Sequence, residues 1–240
     1  MIIEINGISI TVEKKKIKHI YLRVHAPDGA VKVTAPRWAS DKEIKSFVES
    51  KLDWIVRVRQ KCTDYVNCIK PEYLSGETHY LWGIPYRLEV LPTESRKSVT
   101  VEDDKIILQV PEHFTAEQRE KVMLEWYREQ LKAAVPEVMK KCIVKVRRTP
   151  SEWRIKNMRT RWGTCNVVDK RIWLNLQLAK KPPECLEYVI THELVHLYER
   201  NHSRKFWGYM DRFYPDWREA RKKLNAAEAV GSICEEGQSI

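Results

Sequence analysis

No stretch of the 240 residues approaches the roughly 18 uninterrupted apolar positions that a membrane-spanning helix needs. The first residues, Met1-Ile2-Ile3-Glu4-Ile5-Asn6, lack a basic region, a long apolar core and a small-residue cleavage site, so no secretory signal is read. A cytoplasmic location with no membrane partner is therefore expected. The six cysteines, at 62, 68, 142, 165, 185 and 234, form no Cys-x-x-Cys pair and do not have the spacing of a compact disulfide framework. Reduced thiols are expected, and a structural zinc built from cysteines has no support. A glycine-rich phosphate cradle and a solenoid repeat are also missing.

What is present suits a folded chain. Apolar residues make up 43% and charged residues 32%, which excludes both a disordered and a membrane-embedded chain. The length fits one large domain or two small ones. The net charge of +10 admits a polyanion such as nucleic acid as a partner through the basic surface, although scattered Lys and Arg most often form a solvated exterior.

Alternation and turn residues predict strands over Ile2–Ile5 and Ile8–Val12 around Asn6-Gly7, then Ile20–Val24 and Ala30–Ala35 around Asp28-Gly29. Ser40 caps a helix carrying Ile44, Phe47, Val48, Leu52, Ile55 and Val56. A hairpin about Gly83 joins Tyr80–Trp82 to Tyr86–Leu91, and Val99–Val101 pairs with Ile106–Val110. Thr115 opens a helix reaching about Val144, with Pro136 a candidate kink. Strands follow at Trp153–Met158 and Ile172–Leu178, joined by a loop holding Gly163. Pro182-Pro183 starts a helix with Leu186, Val189, Ile190, Leu194 and Leu197, and shorter helices cover Ser203–Phe213 and Asp216–Leu224.

The chemistry concentrates in Thr191-His192-Glu193-Leu194-Val195-His196-Leu197. Histidines four apart project from one helix face, so both imidazoles reach one ion. Zinc suits neutral nitrogen ligands in tetrahedral geometry, with one position left to water and Glu193 placed to act as base. His202 is the leading third ligand, with Asn201 ending the helix in a left-handed conformation and turning the chain back. Asp211, Asp216 and Glu219 are the rivals. Glu199 stands where metzincins have Gly, so that pattern does not apply.

The run Arg161-Trp162-Gly163-Thr164-Cys165, then Ile172-Trp173-Leu174-Asn175, Pro182-Pro183, the His192–His196 motif, Asn201-His202-Ser203, Phe206-Trp207 and Pro215 resembles the YgjP-like metallopeptidase family, related to the SprT-like and WLM zincins. The resemblance is strongest over Trp153 to Leu224; Thr164 departs from the family's usual Ser. It implies a zinc peptidase-like fold with ligands His192, His196 and His202 and a base at Glu193. The expected architecture is α+β. A β-rich portion with one helix, 1–112, leads into a zincin-like portion, 113–225, with helices on a small antiparallel sheet; a tail, 226–240, is expected to fray.

The expected reaction is hydrolysis of a peptide or protein substrate at zinc-activated water. Candidate cleft residues are Arg161, Trp162, Gly163, Arg204 and Tyr209; Trp162 packing the core and Gly163 making only a turn is the equal alternative. Two other functions remain open: a metal-dependent nucleotide pyrophosphatase clamping phosphates with Arg159, Arg161 and Arg204, and a non-catalytic zinc-stabilised protein that binds nucleic acid.

Overall fold

A computed structural model describes residues 1–25, 29–67, 71–226 and 238–239, with only the backbone of 61–67 and 238–239. The chain forms two compact units, Met1–Ile69 with Cys234–Ile240, and Lys70–Ile233. The turn residue Asp28 and most of the tail expected to fray lie outside the described residues.

In the first unit, β1 (Ile2–Ile5), β2 (Ile8–Lys15), β3 (Tyr21–His25) and β4 (Ala30–Pro36) form a sheet of order β1-β2-β4-β3, to which Gln238–Ser239 adds a short strand beside β3. β2 and β4 run parallel and the remaining pairs antiparallel. Alternate residues Ile8, Ile10, Val12, Val31, Val33 and Ala35 point into the core, as a half-buried strand demands. The helix expected from Ser40 onward is two, α1 (Asp41–Glu49) and α2 (Leu52–Asn67). Ser40 forms the anticipated cap, reciprocated by Glu43. The break comes at Ser50, whose hydroxyl donates to the Phe47 carbonyl at 2.7 Å while Lys51 N donates to Val48 at 2.9 Å. These three-residue closures tighten the last turn, and apolar periodicity alone does not register them.

The second unit opens with β5 (Thr78–Leu81), β6 (Ile84–Pro92), β7 (Ser98–Glu102) and β8 (Lys105–Val110), in the order β5-β6-β8-β7. The hairpin turn is Trp82-Gly83, both with positive φ (51° and 83°), as a two-residue turn of primed type requires. α3 (Ala116–Val146) runs through Pro136 without interruption. Buried Leu131, Val135 and Met139 flank the proline, so packing on both sides sustains the helix where one hydrogen bond is missing. The Tyr127 hydroxyl donates to the Tyr80 carbonyl at 2.8 Å, tying α3 to β5.

A three-stranded sheet follows, β9 (Glu152–Lys156), β10 (Gly163–Asn166) and β11 (Arg171–Asn175), in the order β10-β11-β9. It is mixed, not antiparallel as expected: β11 pairs antiparallel with β10 and parallel with β9. The connection over 157–162 carries the chain past β11's position, so β9 and β10 flank it from opposite sides. The predicted strand to Leu178 stops at Asn175, whose side chain accepts from Gln177 N at 3.1 Å and opens a 3₁₀ turn, Leu176–Lys180. Helices α4 (Pro183–Val195), α5 (Arg204–Phe213) and α6 (Trp217–Leu224) complete the unit. β5–β8 share one core with α3, α4 and β11, through Leu88, Ile106, Leu131, Leu174 and Leu194. The boundary expected after residue 112 therefore falls inside a compact unit, because the β5–β8 sheet buries its apolar face with the later helices.

Two glycines of this unit give opposed expectations. A Cβ at Gly83 would meet Pro182 Cγ at 2.7 Å, at a φ of +83°, whereas one at Gly208, inside α5, meets nothing within 4 Å. Gly83→Ala should destabilise the protein by about 1–3 kcal/mol. Gly208→Ala should stabilise it by about 0.5–1 kcal/mol. Urea unfolding of the two variants checks both signs.

Candidate metal centre

α4 is buried almost all round. Cys185, Leu186, Tyr188, Val189, Ile190, Thr191, Leu194 and Val195 are in the core, so the helix is held on every side and its last turn has little freedom. His192 and Glu193 occupy that last turn, and His196 is the C-terminal cap. The chain then coils tightly: Leu197, Tyr198 and Glu199 donate backbone N–H groups to Leu194, Val195 and Val195 at 3.0, 2.9 and 3.1 Å. The Tyr198 hydroxyl donates to the Val146 carbonyl at 2.8 Å, fixing this turn to the end of α3. Asn201 is not among the residues with positive φ, so the reversal expected there is made earlier, by the coil after His196. Ser203 caps α5, its hydroxyl accepting from Phe206 N at 3.4 Å, and His202 is left just ahead of the helix.

These elements bring His192, His196 and His202 together. One nitrogen of each lies within 4.8 Å of the others, a spacing that can hold a single metal ion. Nε2 of His192 and Nε2 of His202 are 2.9 Å apart. His196 Nδ1 donates to the Glu199 carbonyl at 3.2 Å, which puts its lone pair on Nε2. The other two rings are held by aromatic packing. Phe206, fully buried, is 4.7–4.8 Å from all three imidazoles by ring centroid. Trp207 stacks on His202 at 5.7 Å and 23°, and Tyr188 meets His192 edge-on at 5.9 Å. Among the described residues His192 Nδ1 is buried with no hydrogen-bond partner, so that ring is set by packing and by its contact with His202 Nε2.

The electrostatics favour neutral imidazoles. Burial, then the charges of His196, His202 and Arg221, holds His192 well below the usual histidine range. Burial also lowers His196, against the opposing pull of the Glu199 and Arg200 backbone groups. Partial burial, His196 and Arg221 lower His202. Neutral nitrogen is the state that ligates a metal, so the donor set fits a zinc ion.

Glu193 is 4% exposed and lies against Gly163. A Cβ at Gly163 would meet Glu193 Oε1 at 2.6 Å, Glu193 Cγ at 2.9 Å and Val189 Cγ1 at 2.9 Å. Only glycine lets β10 pass this close to the carboxylate. Cys165, half-buried on the same strand, is pushed up to about 12 by burial and by the Glu193 charge, and it is not part of the group whose ligand atoms converge.

The other expected residues scatter. Trp162 is buried, at 4% exposure, under the Lys181 ammonium. Arg161 and Arg204 are exposed. Tyr209 stacks on Tyr198 and Phe213, at 4.9 and 5.9 Å. Asp211 accepts from Trp217 Nε1 and Arg218 at 2.9 and 2.8 Å, which engages one of His202's rivals elsewhere. Among the described residues Asn175 makes no hydrogen bond to an imidazole. Its buried amide donates to the Met158 and Arg161 carbonyls at 3.0 and 2.6 Å, pinning the segment that leads into Gly163. From their spacing, Phe206 and Trp207 read as core bracing the metal helix, and the structure places them directly against the imidazoles.

Comparison with curated proteins gives no match. Among solved structures, the crystal structure of the metallopeptidase zymogen of Pyrococcus abyssi abylysin is 19% identical, over 38% of this chain and 90% of that one, with a TM-score of 0.35. The corresponding zymogen of Methanocaldococcus jannaschii jannalysin is 22% identical, over 38% and 86%, with a TM-score of 0.34. The model of the YgjP-like, metallopeptidase domain matches residues 18–227, most of the length, and the chain belongs to that family.

Proposed function

We propose that the chain is a cytoplasmic zinc peptidase in which His192, His196 and His202 hold the ion and Glu193 is the general base. The observation that carries this reading is the convergence of three imidazoles within 4.8 Å of one another. Membership of a metallopeptidase family supports a peptide or protein substrate. Free Cys142, Cys165 and Cys185 agree with a reducing compartment, and among the described residues no helix is long and apolar enough to cross a membrane.

Zinc held there supplies Lewis acidity toward a carbonyl oxygen and toward water. Glu193 accepts the proton of the attacking water on its carboxylate, then passes it to the departing amine nitrogen as the C–N bond breaks. Gly163 keeps the carboxylate's place clear, and the Asn175 amide holds the approach to Gly163 in register. β10 lies at the edge of its sheet, and its outer main-chain groups offer an extended peptide a pairing partner beside α4.

Glu193→Gln should retain zinc while hydrolysing a mixed peptide library about 10²–10⁴-fold more slowly. Full activity in that variant would remove Glu193 from the chemistry. Gly163→Ala should displace the carboxylate by a few tenths of an ångström or more, lowering kcat at least about tenfold with zinc content intact. A wild-type kcat there would mean that the close approach of β10 does not set the carboxylate.

A further inference from the structure

The imidazole cluster continues outward through stacked rings. Trp207, stacked on His202, stacks in turn on Trp217 at 4.5 Å and 22°. The Arg221 guanidinium lies 5.7 Å from the Trp207 ring centroid, within reach of a cation–π contact. Its charge is also felt at both His192 and His202. Beside these rings is an open recess of about 380 Å³, lined by Trp217, Arg218, Arg221, Lys222 and Asn225.

The cations of α6 are not equivalent. Arg218 donates to Asp211 at 2.8 Å and Lys223 to Glu184 at 2.6 Å. Among the described residues no carboxylate lies within ion-pair distance of Arg221 or Lys222, and both face the recess with Trp217. An exposed guanidinium lying over one indole, with no carboxylate partner among the described residues, can take a carboxylate. The distance fits a substrate side chain: two stacked rings separate the recess from His202, about the reach of three residues of extended peptide, or of two with a long acidic side chain.

We propose that Arg221, with Lys222 beside it, forms a subsite on the outer side of Trp207 that selects peptides carrying an acidic side chain close to the bond to be cut. This rests on the peptidase reading above. A peptide carboxylate is favoured over a nucleic-acid backbone because Arg218 and Lys223 are already paired and only Arg221 and Lys222 are left at the recess, whereas a polyphosphate chain is followed by an extended track of cations.

The test uses matched peptides differing only by Glu or Gln at positions flanking the cleaved bond, assayed as kcat/KM and, on the Glu193→Gln protein, as Kd by calorimetry. Wild type should favour the Glu peptide by about 5- to 10-fold, a preference that weakens at high salt. Arg221→Gln should bring the ratio close to one, and Arg221→Glu should reverse it toward a Lys peptide. A merely structural role for Arg221 would not produce that reversal. Cleavage with no acidic preference, or with a preference that Arg221→Glu leaves intact, would overturn the subsite and leave the peptidase reading standing. Failure to cleave any peptide would overturn the peptidase reading, and calorimetry would still decide the subsite. If inorganic pyrophosphate binds at Arg221 and the Glu and Gln peptides bind alike, the recess serves phosphate and the proposal fails.

Discussion

Phe206 touches three imidazole rings at once, and the placement of the histidines follows from that contact. Its side chain is fully buried at 4.7–4.8 Å from each ring, so it acts as a common floor beneath three imidazoles whose nitrogens lie within 4.8 Å of one another. The floor has to be brought there by α5, which packs against the end of α4 only because the chain reverses after His196. Tyr198 secures the reversal by its bond to the end of α3, and Ser203 starts the new helix where Phe206 can turn inward. Removing a buried phenyl ring of this kind costs about 3–5 kcal/mol, and here the loss would fall on the same contacts that orient the three imidazoles.

The second constraint is one of space. Glu193 is held in a buried position that a single Cβ on β10 would fill. α4 and β10 therefore fit one another around a glycine, and the buried Asn175 amide keeps the incoming segment at the right height. The two constraints are independent. One aims the imidazoles through α5, and the other positions the carboxylate through the mixed sheet, with α4 the element they share. Because α4 is enclosed by the core on nearly all sides, both are referred to one rigid body.

Much of this was legible in the sequence, and its limits have physical causes. His192, Glu193 and His196 announce themselves because a four-residue spacing on an apolar helix puts both imidazoles on one face. The α+β class was legible from alternation followed by helical periodicity. His202 was reached by chemical preference, while the route to it, assigned to Asn201, is made by the coil at 197–199. β10 was read as loop because Gly163-Thr164-Cys165-Asn166 lacks alternating large apolar residues; its pairing with β11 supplies what its composition does not. The parallel pairing of β9 with β11 links residues about 20 apart in the chain and leaves no local pattern. Asn175 braces backbone through its buried amide, a role that burial and distances show and residue type does not.

The central claim is that three imidazoles, and no thiol, bind one zinc. X-ray absorption at the zinc edge, on protein purified without added metal, tests it most directly. The account predicts about one zinc per chain with nitrogen and oxygen neighbours at about 2.0–2.1 Å, and loss of most of that zinc in His202→Ala. A sulfur neighbour at about 2.3 Å would contradict it by bringing in a cysteine such as Cys165, and full retention of zinc by His202→Ala would place the third ligand elsewhere.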